Sequence, residues 1–285
     1  MANTQFHKQQ VDLERGMSPD RNICRFCNTS EALITRFYNP PNGETDFGFT
    51  PYFRSLWQCH NCLHITNKHN FNIDLFFYKN NYRQATYKEE SRSRFVKLMA
   101  LPISKSDNRQ RVAFIDNFWR SMKTSRQRSC LDIGSGLGVF PAALSEANWN
   151  CVALDPDPEA CKLIKEMVGV KTLLGDLMSF ENIGKFDLVT FNKVLEHTKK
   201  PEKILLKSQH HLKNDGLIYI ELPDGETALS VEGPEREEFF IEHYDAYSLK
   251  SLELFLNSVN FHILTIDRVH EPSGKYTLRA FAKPR

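Results

Sequence analysis

From residue 129 to the C-terminus, short apolar runs alternate with longer segments whose apolar residues recur at helical spacing. The runs at 130–134, 151–154, 170–174, 186–191 and 217–222 read as buried strands, and the segments at about 138–147, 157–167 and 201–212 as the helices between them. Such alternation predicts an α/β fold with a mostly parallel sheet and helices on both faces, because each parallel neighbour needs a crossover. A helix at 248–258 is followed by FHILTIDRV and YTLRAFA, separated by EPSGK. These two runs are near enough to pair as an antiparallel hairpin, which makes a seven-stranded sheet.

Ahead of this domain the pattern changes twice. From 85 to 123, Phe95, Leu98 and Met99, then Val112, Phe114, Ile115, Phe118 and Trp119, trace helical stripes, so 81–127 is expected to be a helical linker. Residues 21–80 are rich in aromatics and turn formers and show no long helical period. Within them, 33–38 and 47–58 suggest strands about an NPPNG turn. Residues 1–20 read as a flexible tail.

Composition changes this picture little: 41% apolar and 25% charged residues are ordinary for a globular chain of 285 residues. The first twenty residues have no apolar core, and nowhere do about 18 apolar residues run together, so neither a signal peptide nor a membrane span is expected and the location should be cytoplasmic. Charge is more telling. The net +2 hides a split between residues 1–128, with 20 Lys/Arg against 11 Asp/Glu, and the remainder, with 17 against 24. The front half could bind a polyanion, or the halves could attract one another; the internal reading is preferred.

Four of the seven cysteines come as CxxC pairs, Cys24/Cys27 and Cys59/Cys62, with 31 residues between. Paired knuckles of this spacing enclose tetrahedral zinc, and four thiolates leave no position for water, so a structural Zn2+ in an N-terminal zinc ribbon is expected. Redox chemistry is the rival, but neither pair precedes a βαβ helix. His60 and His64 are close enough to replace a cysteine as the minor alternative. Cys130, Cys151 and Cys161 sit singly in apolar segments and read as small buried hydrophobes.

Residues 131–139, LDIGSGLGV, run an apolar strand into Gly134, Gly136 and Gly138. A dinucleotide fingerprint would place its third glycine where Val139 stands, and a P-loop would need Gly-Lys-Ser/Thr, which is absent. Asp155 ends the next strand, Gly175-Asp176 follow the third, and Glu196-His197 follow the fourth. Four strands therefore deliver polar groups to one sheet edge, where open parallel sheets bind ligands.

This ordered set, from Asp132 through the glycine turn to Asp155, the Gly-Asp pair and VLEH, closely resembles motif I and the following positions of class I S-adenosylmethionine-dependent methyltransferases, over 128–285. The resemblance implies a Rossmann-like domain with S-adenosylmethionine as its cofactor. Gly134, Ser135, Gly136 and Gly138 would form the turn beneath it, with bare backbone at the glycines and helical N–H groups beyond Gly138 for the methionine carboxylate. Asp155, followed by Pro156, would accept from the ribose hydroxyls. Asp176 and the Leu177 backbone would meet the adenine amino group, and Asn192 and Lys193 would lie beside the methionine end. Asp132 has a rival role in orienting the turn, and Asp157 reads as a helix cap.

An alcohol acceptor must also lose a proton, for which histidine is the usual base. His197 follows strand four at the ligand edge and His243 lies in EHYDAYS before the last helix, so these two, with Glu196 behind them, are the candidate catalytic residues. The acidic, aromatic segment 222–245 is expected to act as a lid over the acceptor. The ribbon followed by a Tyr-rich stretch at 76–87 looks like bacterial sugar and surface-polysaccharide methyltransferases. Carbon-methylating members carry a further C-terminal domain that this sequence lacks, which tilts the expectation to oxygen on a sugar or nucleotide-linked sugar. The second reading is an rRNA or tRNA methyltransferase with a zinc-bearing RNA-recognition module. The acidic segment opposes it, since RNA gains affinity from a cationic track, and no NPPY or Pro-Cys motif follows strand four. The third is a non-catalytic cofactor-binding partner protein.

Overall fold

The computed structural model of the protein describes residues 22–71, 73, 90–122 and 128–285. Seven strands form the main sheet: β4 (Ser129–Ile133), β5 (Asn150–Asp155), β6 (Lys171–Leu174), β7 (Phe186–Asn192), β8 (Leu212–Pro223), β10 (Phe261–His270) and β11 (Tyr276–Pro284). Their order across the sheet is β10-β11-β8-β7-β4-β5-β6, with β6, β5, β4, β7 and β8 parallel and β11 antiparallel to both neighbours. The chain steps outward in both directions from β4, so the carboxyl end of β4 is the point where a crevice opens.

Helices cover both faces. α1 (Ser91–Met99), α2 (Asp107–Ser121) and α3 (Val139–Glu146) precede α4 (Pro158–Met167), α5 (Pro201–Gln209), α6 (Gly225–Glu232) and α7 (Leu249–Ser258). Their ends follow local chemistry. Asp157 accepts from the Glu159 amide with Pro158 at the first helical position of α4, and Ser248 and Ser251 close a capping box on α7. One core cluster joins Leu131, Val189 and Ile220 of the sheet to Phe255 and Leu256 of α7. The other packs Val112, Ile115 and Trp119 of α2 on Cys130, Leu188, Tyr219 and Phe281. The described part of the helical stripe expected at 85–123 forms two helices parted around Pro102, of which α2 packs on the sheet and α1, through Phe95, on Val139 and Ala142 of α3.

The front module carries β1 (Glu31–Phe37), β2 (Arg54–Cys59) and β3 (Ile65–Lys68) in antiparallel order. Its fourth strand, β9 (Asp245–Ala246), comes from the far end of the chain. The segment expected to be a lid therefore contains α6 and β9, with Phe239, Tyr244 and Tyr247 buried, and is held by two sheets. Pairing across 180 residues leaves no local periodicity to read.

Two other expectations shift. The helix expected to reach 212 ends at Gln209, because the His211 carbonyl accepts from Phe186 and Leu212 already pairs with Phe186 in β8. The strand expected at 47–58 begins only at Arg54. Pro51 has no N–H to give a ladder, and Phe47, Phe49 and Tyr52 turn instead to pack with Phe71, Ile73, Ile241 and Tyr244. The tail at 1–20, the Tyr-rich stretch at 76–87 and the start of the helical pattern at 85 lie outside the described residues. Front-half cations pair with back-half acids in Arg25–Asp245, Arg109–Glu146, Arg111–Glu221 and Arg111–Glu271, as the internal reading of the charge split expects. Among the described residues, no helix is long and apolar enough to cross a membrane.

Candidate functional site

The loop from β4 to α3 is built by backbone geometry. Gly134 and Gly136 both adopt positive φ, 72° and 53°, which side chains disfavour. Their surroundings differ. A Cβ on Gly134 would lie 2.6 Å from Val194 Cγ2, so this glycine is demanded by packing, whereas a Cβ on Gly136 would meet no atom within 4 Å. Open space therefore lies beside Gly136, and Gly134 seats the turn after β7 against the loop. Gly138 caps α3 and packs on Ile164 of α4.

Carboxylates tie this loop to the strands. Asp132, buried at the end of β4, accepts from Ser135 Oγ at 2.7 Å and from Thr190 Oγ1 of β7 at 2.7 Å, and burial pushes its carboxyl up to about 6. Asp132 thereby links the turn to β7. Asp155, at the end of β5, accepts from the Gly136 amide at 2.7 Å and the Asp157 amide at 2.9 Å, with Pro156 between. Asp176 begins the 3-10 turn Leu177–Ser179 and accepts from the Met178 amide. Leu177 is buried in the core, so only its backbone can face a ligand. Asn192 ends β7, and its buried Oδ1 has no hydrogen-bond partner among the described residues. Lys193 has positive φ, and its ammonium reaches Thr277 Oγ1 and, at 3.9 Å, Glu271 Oε2.

The 3-10 turn Leu195–His197 brings the candidate catalytic residues together. One ligand-type atom each from Glu196, His197 and His243 lies within 4.8 Å of the others, and the two imidazoles meet edge-on at 4.7 Å. Each imidazole is anchored through Nδ1, His197 on the Glu242 carbonyl and His243 on the Glu238 carbonyl, both at 3.0 Å. An Nδ1–H that donates to a carbonyl leaves Nε2 as the basic nitrogen. Burial holds His197 down to about 4; burial and then the neighbouring His197 hold His243 well below its ordinary value. Glu196 is fully buried, neither carboxylate oxygen has a hydrogen-bond partner among the described residues, and burial pushes its carboxyl up to about 7. A carboxyl so placed titrates near neutrality.

Sequence reasoning missed Arg111, which is buried and reaches Glu221 at the end of β8 and Glu271, 2.5 and 2.6 Å away. Its signal was available: Arg111, Ile115 and Trp119 share the inward face of α2, where a charge needs a partner.

In the front module the four CxxC sulfurs lie within 4.8 Å of one another, with Cys24–Cys62 at 3.4, Cys27–Cys59 at 3.3 and Cys27–Cys62 at 3.6 Å. Tetrahedral zinc with bonds of about 2.3 Å needs sulfurs about 3.8 Å apart, so the set fits. Backbone amides of Phe26, Asn61 and Cys62 point at the sulfurs, as thiolates require. Neither His64 nor His60 belongs to this clustered set; His64 Nε2 pairs with Asp245 at 2.8 Å, and His60 is exposed.

Residues 97–266 match a family model described as a methyltransferase domain. Among curated proteins, the chain is 29% identical over 121 residues to the (S)-coclaurine N-methyltransferase of Papaver somniferum, covering 39% of this chain and 34% of that protein. It is 24% identical over 121 residues to the mitochondrial ubiquinone biosynthesis O-methyltransferase of Schizosaccharomyces pombe, covering 40% and 44%. The matches thus span less than half the length of these relatives. Among solved structures, the fold is shared with the Burkholderia thailandensis 1,6-didemethyltoxoflavin-N1-methyltransferase, solved with 1,6-didemethyltoxoflavin and S-adenosylhomocysteine (TM-score 0.55, 18% identity, 85% of this chain and 100% of that one). It is shared also with the magnesium protoporphyrin IX methyltransferase of Synechocystis PCC 6803, solved with S-adenosylhomocysteine (TM-score 0.53, 15% identity, 74% and 97%).

Proposed function

The chain belongs to the methyltransferase-domain family, and from that premise we propose that it transfers the methyl group of S-adenosylmethionine to an oxygen of a small polar acceptor, a sugar or nucleotide-linked sugar. The single observation that carries the donor half is the meeting of the bare Gly136 backbone with the Asp155 carboxylate at the β4–β5 edge. Asp155 would accept from the ribose hydroxyls, and Asp176 with the Leu177 backbone would meet the adenine. The orphaned Asn192 Oδ1 is an acceptor suited to the ammonium of the methionine end, beside Lys193. Gly134, Ser135 and Gly138, with Asp132 and Pro156, would hold the turn in shape.

When bound, the donor supplies a methyl group already made electrophilic by its sulfonium. The protein then has to align the acceptor, exclude water and remove a proton. The Nε2 atoms of His197 and His243 are the acceptors for that proton: burial keeps both rings neutral at neutral pH, and Glu196, once ionised, stabilises the imidazolium that forms. In the front module Cys24, Cys27, Cys59 and Cys62 would hold a structural Zn2+ with no position left for chemistry. Metal analysis of purified protein should find about one zinc per chain.

Purified protein incubated with methyl-labelled S-adenosylmethionine and separate panels of nucleotide-linked sugars, glycans and rRNA tests the whole reading. Label on a sugar hydroxyl is the expected outcome. Transfer to RNA alone would establish the RNA-methyltransferase alternative, and donor binding without transfer to any panel would point to the non-catalytic one.

A further inference from the structure

We infer that the thiolate knuckles act as a clamp on the acceptor side of the site, with Asp245 as the positioning residue that transmits the hold to His243. The inference rests on the proposed role of His243 and extends it to the front module, whose job becomes completing the site rather than reading a nucleic acid.

The contacts form one continuous path. Arg25 lies between Cys24 and Cys27, and its guanidinium donates to Asp245 Oδ2 at 2.8 Å. His64 lies two residues beyond Cys62, and its Nε2–H donates to Asp245 Oδ1 at 2.8 Å. Each knuckle thus puts one cationic or donor side chain on the same carboxylate, which is 2% exposed and is the first residue of β9. A buried carboxylate held on both oxygens is sensitive to the loss of either partner. The Cys62 carbonyl also accepts from Ser248 Oγ, and Lys250 reaches Asn61 between the second pair of cysteines.

β9 delivers this hold to the catalytic cluster. Thr66 and Ile65 of β3 pair with Asp245 and Ala246. The next residue of β3, Asn67, is buried, and its amide donates to the carbonyls of Phe239, Phe240 and His243 at 3.1–3.2 Å, while its backbone N–H donates to Tyr244. Tyr244 in turn donates its amide to the Glu196 carbonyl at 2.7 Å, and His197 rests on the Glu242 carbonyl. His243 is therefore two residues from the clamped carboxylate and touches both walls. Within segment 237–247 the regular elements are the 3-10 turn Glu237–Phe239 and the two-residue strand that the module completes, and neither is long enough to fix the backbone at His243 alone.

The test is hydrogen exchange by mass spectrometry on the full chain, metal-loaded, after chelation, and as Asp245→Asn and Arg25→Gln variants. Arg25→Gln is included because that side chain is 31% exposed and its replacement should fold even where Asp245→Asn does not. Chelation and both variants should raise exchange across 237–247 at least about tenfold while leaving 129–139 unchanged, with zinc content near one per chain in the variants. Arg25→Lys, which keeps a cation, should restore much of the protection. By imidazole NMR, His243 should titrate nearer its ordinary value once the clamp is released. Affinity for S-adenosylhomocysteine should change less than about twofold throughout. Protection at 237–247 that survives chelation would overturn the clamp and leave the donor reading intact. A protein that shows the protection change but never binds S-adenosylhomocysteine would sink the proposed function instead.

Discussion

At the proposed donor rim, the candidate groups lie at or within a few residues of a strand end: Gly134, Ser135 and Gly136 after β4, Asp155 at the end of β5, Asp176 after β6. The proposed acceptor side, by contrast, is assembled from three distant pieces, Arg25 to Asn67, Glu196 with His197, and Glu238 to Ser248. The first is held by φ angles and by carboxylates that reach at most 58 residues along the chain, the second by bonds that bridge up to 220 residues. Val194 joins them, since it packs on Gly134 while the turn it opens carries Glu196 and His197. The contrast implies that the two sides can be damaged separately.

The sharpest separation is chemical. Replacing His197 and His243 together by Gln should lower transfer to an oxygen acceptor by about 10²–10⁴-fold while S-adenosylhomocysteine affinity stays within about twofold. Turnover that survived the double change would remove the cluster from the reaction. The converse variant, Asp155→Ala, should weaken S-adenosylhomocysteine by about a hundredfold, through the loss of hydrogen bonds to a charged acceptor. Calorimetry should read that loss while zinc content and 237–247 exchange are unchanged.

Within the donor rim, the two glycines should part company in thermal melts. Gly134→Ala forces a methyl group to 2.6 Å from Val194 and should cost about 2–4 kcal/mol, whereas Gly136→Ala should cost about 1–2 kcal/mol of backbone strain and act chiefly on donor binding. Equal losses of stability would show that packing does not distinguish them.

The smallest effect is on pH dependence. His197 is held near 4, below the ordinary 6.5, so the native state resists its protonation and stability is lost as pH falls from about 6.5 towards 4. Glu196 is held near 7, above 4.5, so its ionisation costs stability as pH rises through that interval. Glu196→Gln should therefore raise the Tm by a few degrees at pH 8 and leave it little changed at pH 5, as read by scanning fluorimetry. A variant no more stable than its parent at pH 8 would mean that the carboxylate has partners in solution.

How much of this was legible in advance follows the same division. The parallel sheet and its closing hairpin could be read because their strands are apolar runs between turn residues, and the helix cap at Asp157 because capping acts over three residues. The CxxC pairs were legible because metal geometry imposes their spacing. Arg111 was readable in principle as a charge on an apolar face. By contrast, β3 is four residues and β9 two, too short for any periodicity, and β9 is a strand only because β3, itself laid down on β2, is beside it. Gly134 and Gly136 look alike in sequence, and only the neighbour, Val194 or open space, separates their roles.

The amino-acid sequence by itself determined the alternation of elements, the glycine turn with its acidic followers, and four thiols in two pairs, because all of these are encoded in contiguous residues whose backbone preferences act locally. Tertiary structure alone decided that Asp245–Ala246 is a strand of the front sheet, that Asp245 receives Arg25 and His64, and that the buried Glu196 carboxylate, with no hydrogen-bond partner among the described residues, lies beside two imidazoles. Those facts depend on which distant surfaces the folded chain brings within hydrogen-bond reach and removes from water, and no local preference specifies either.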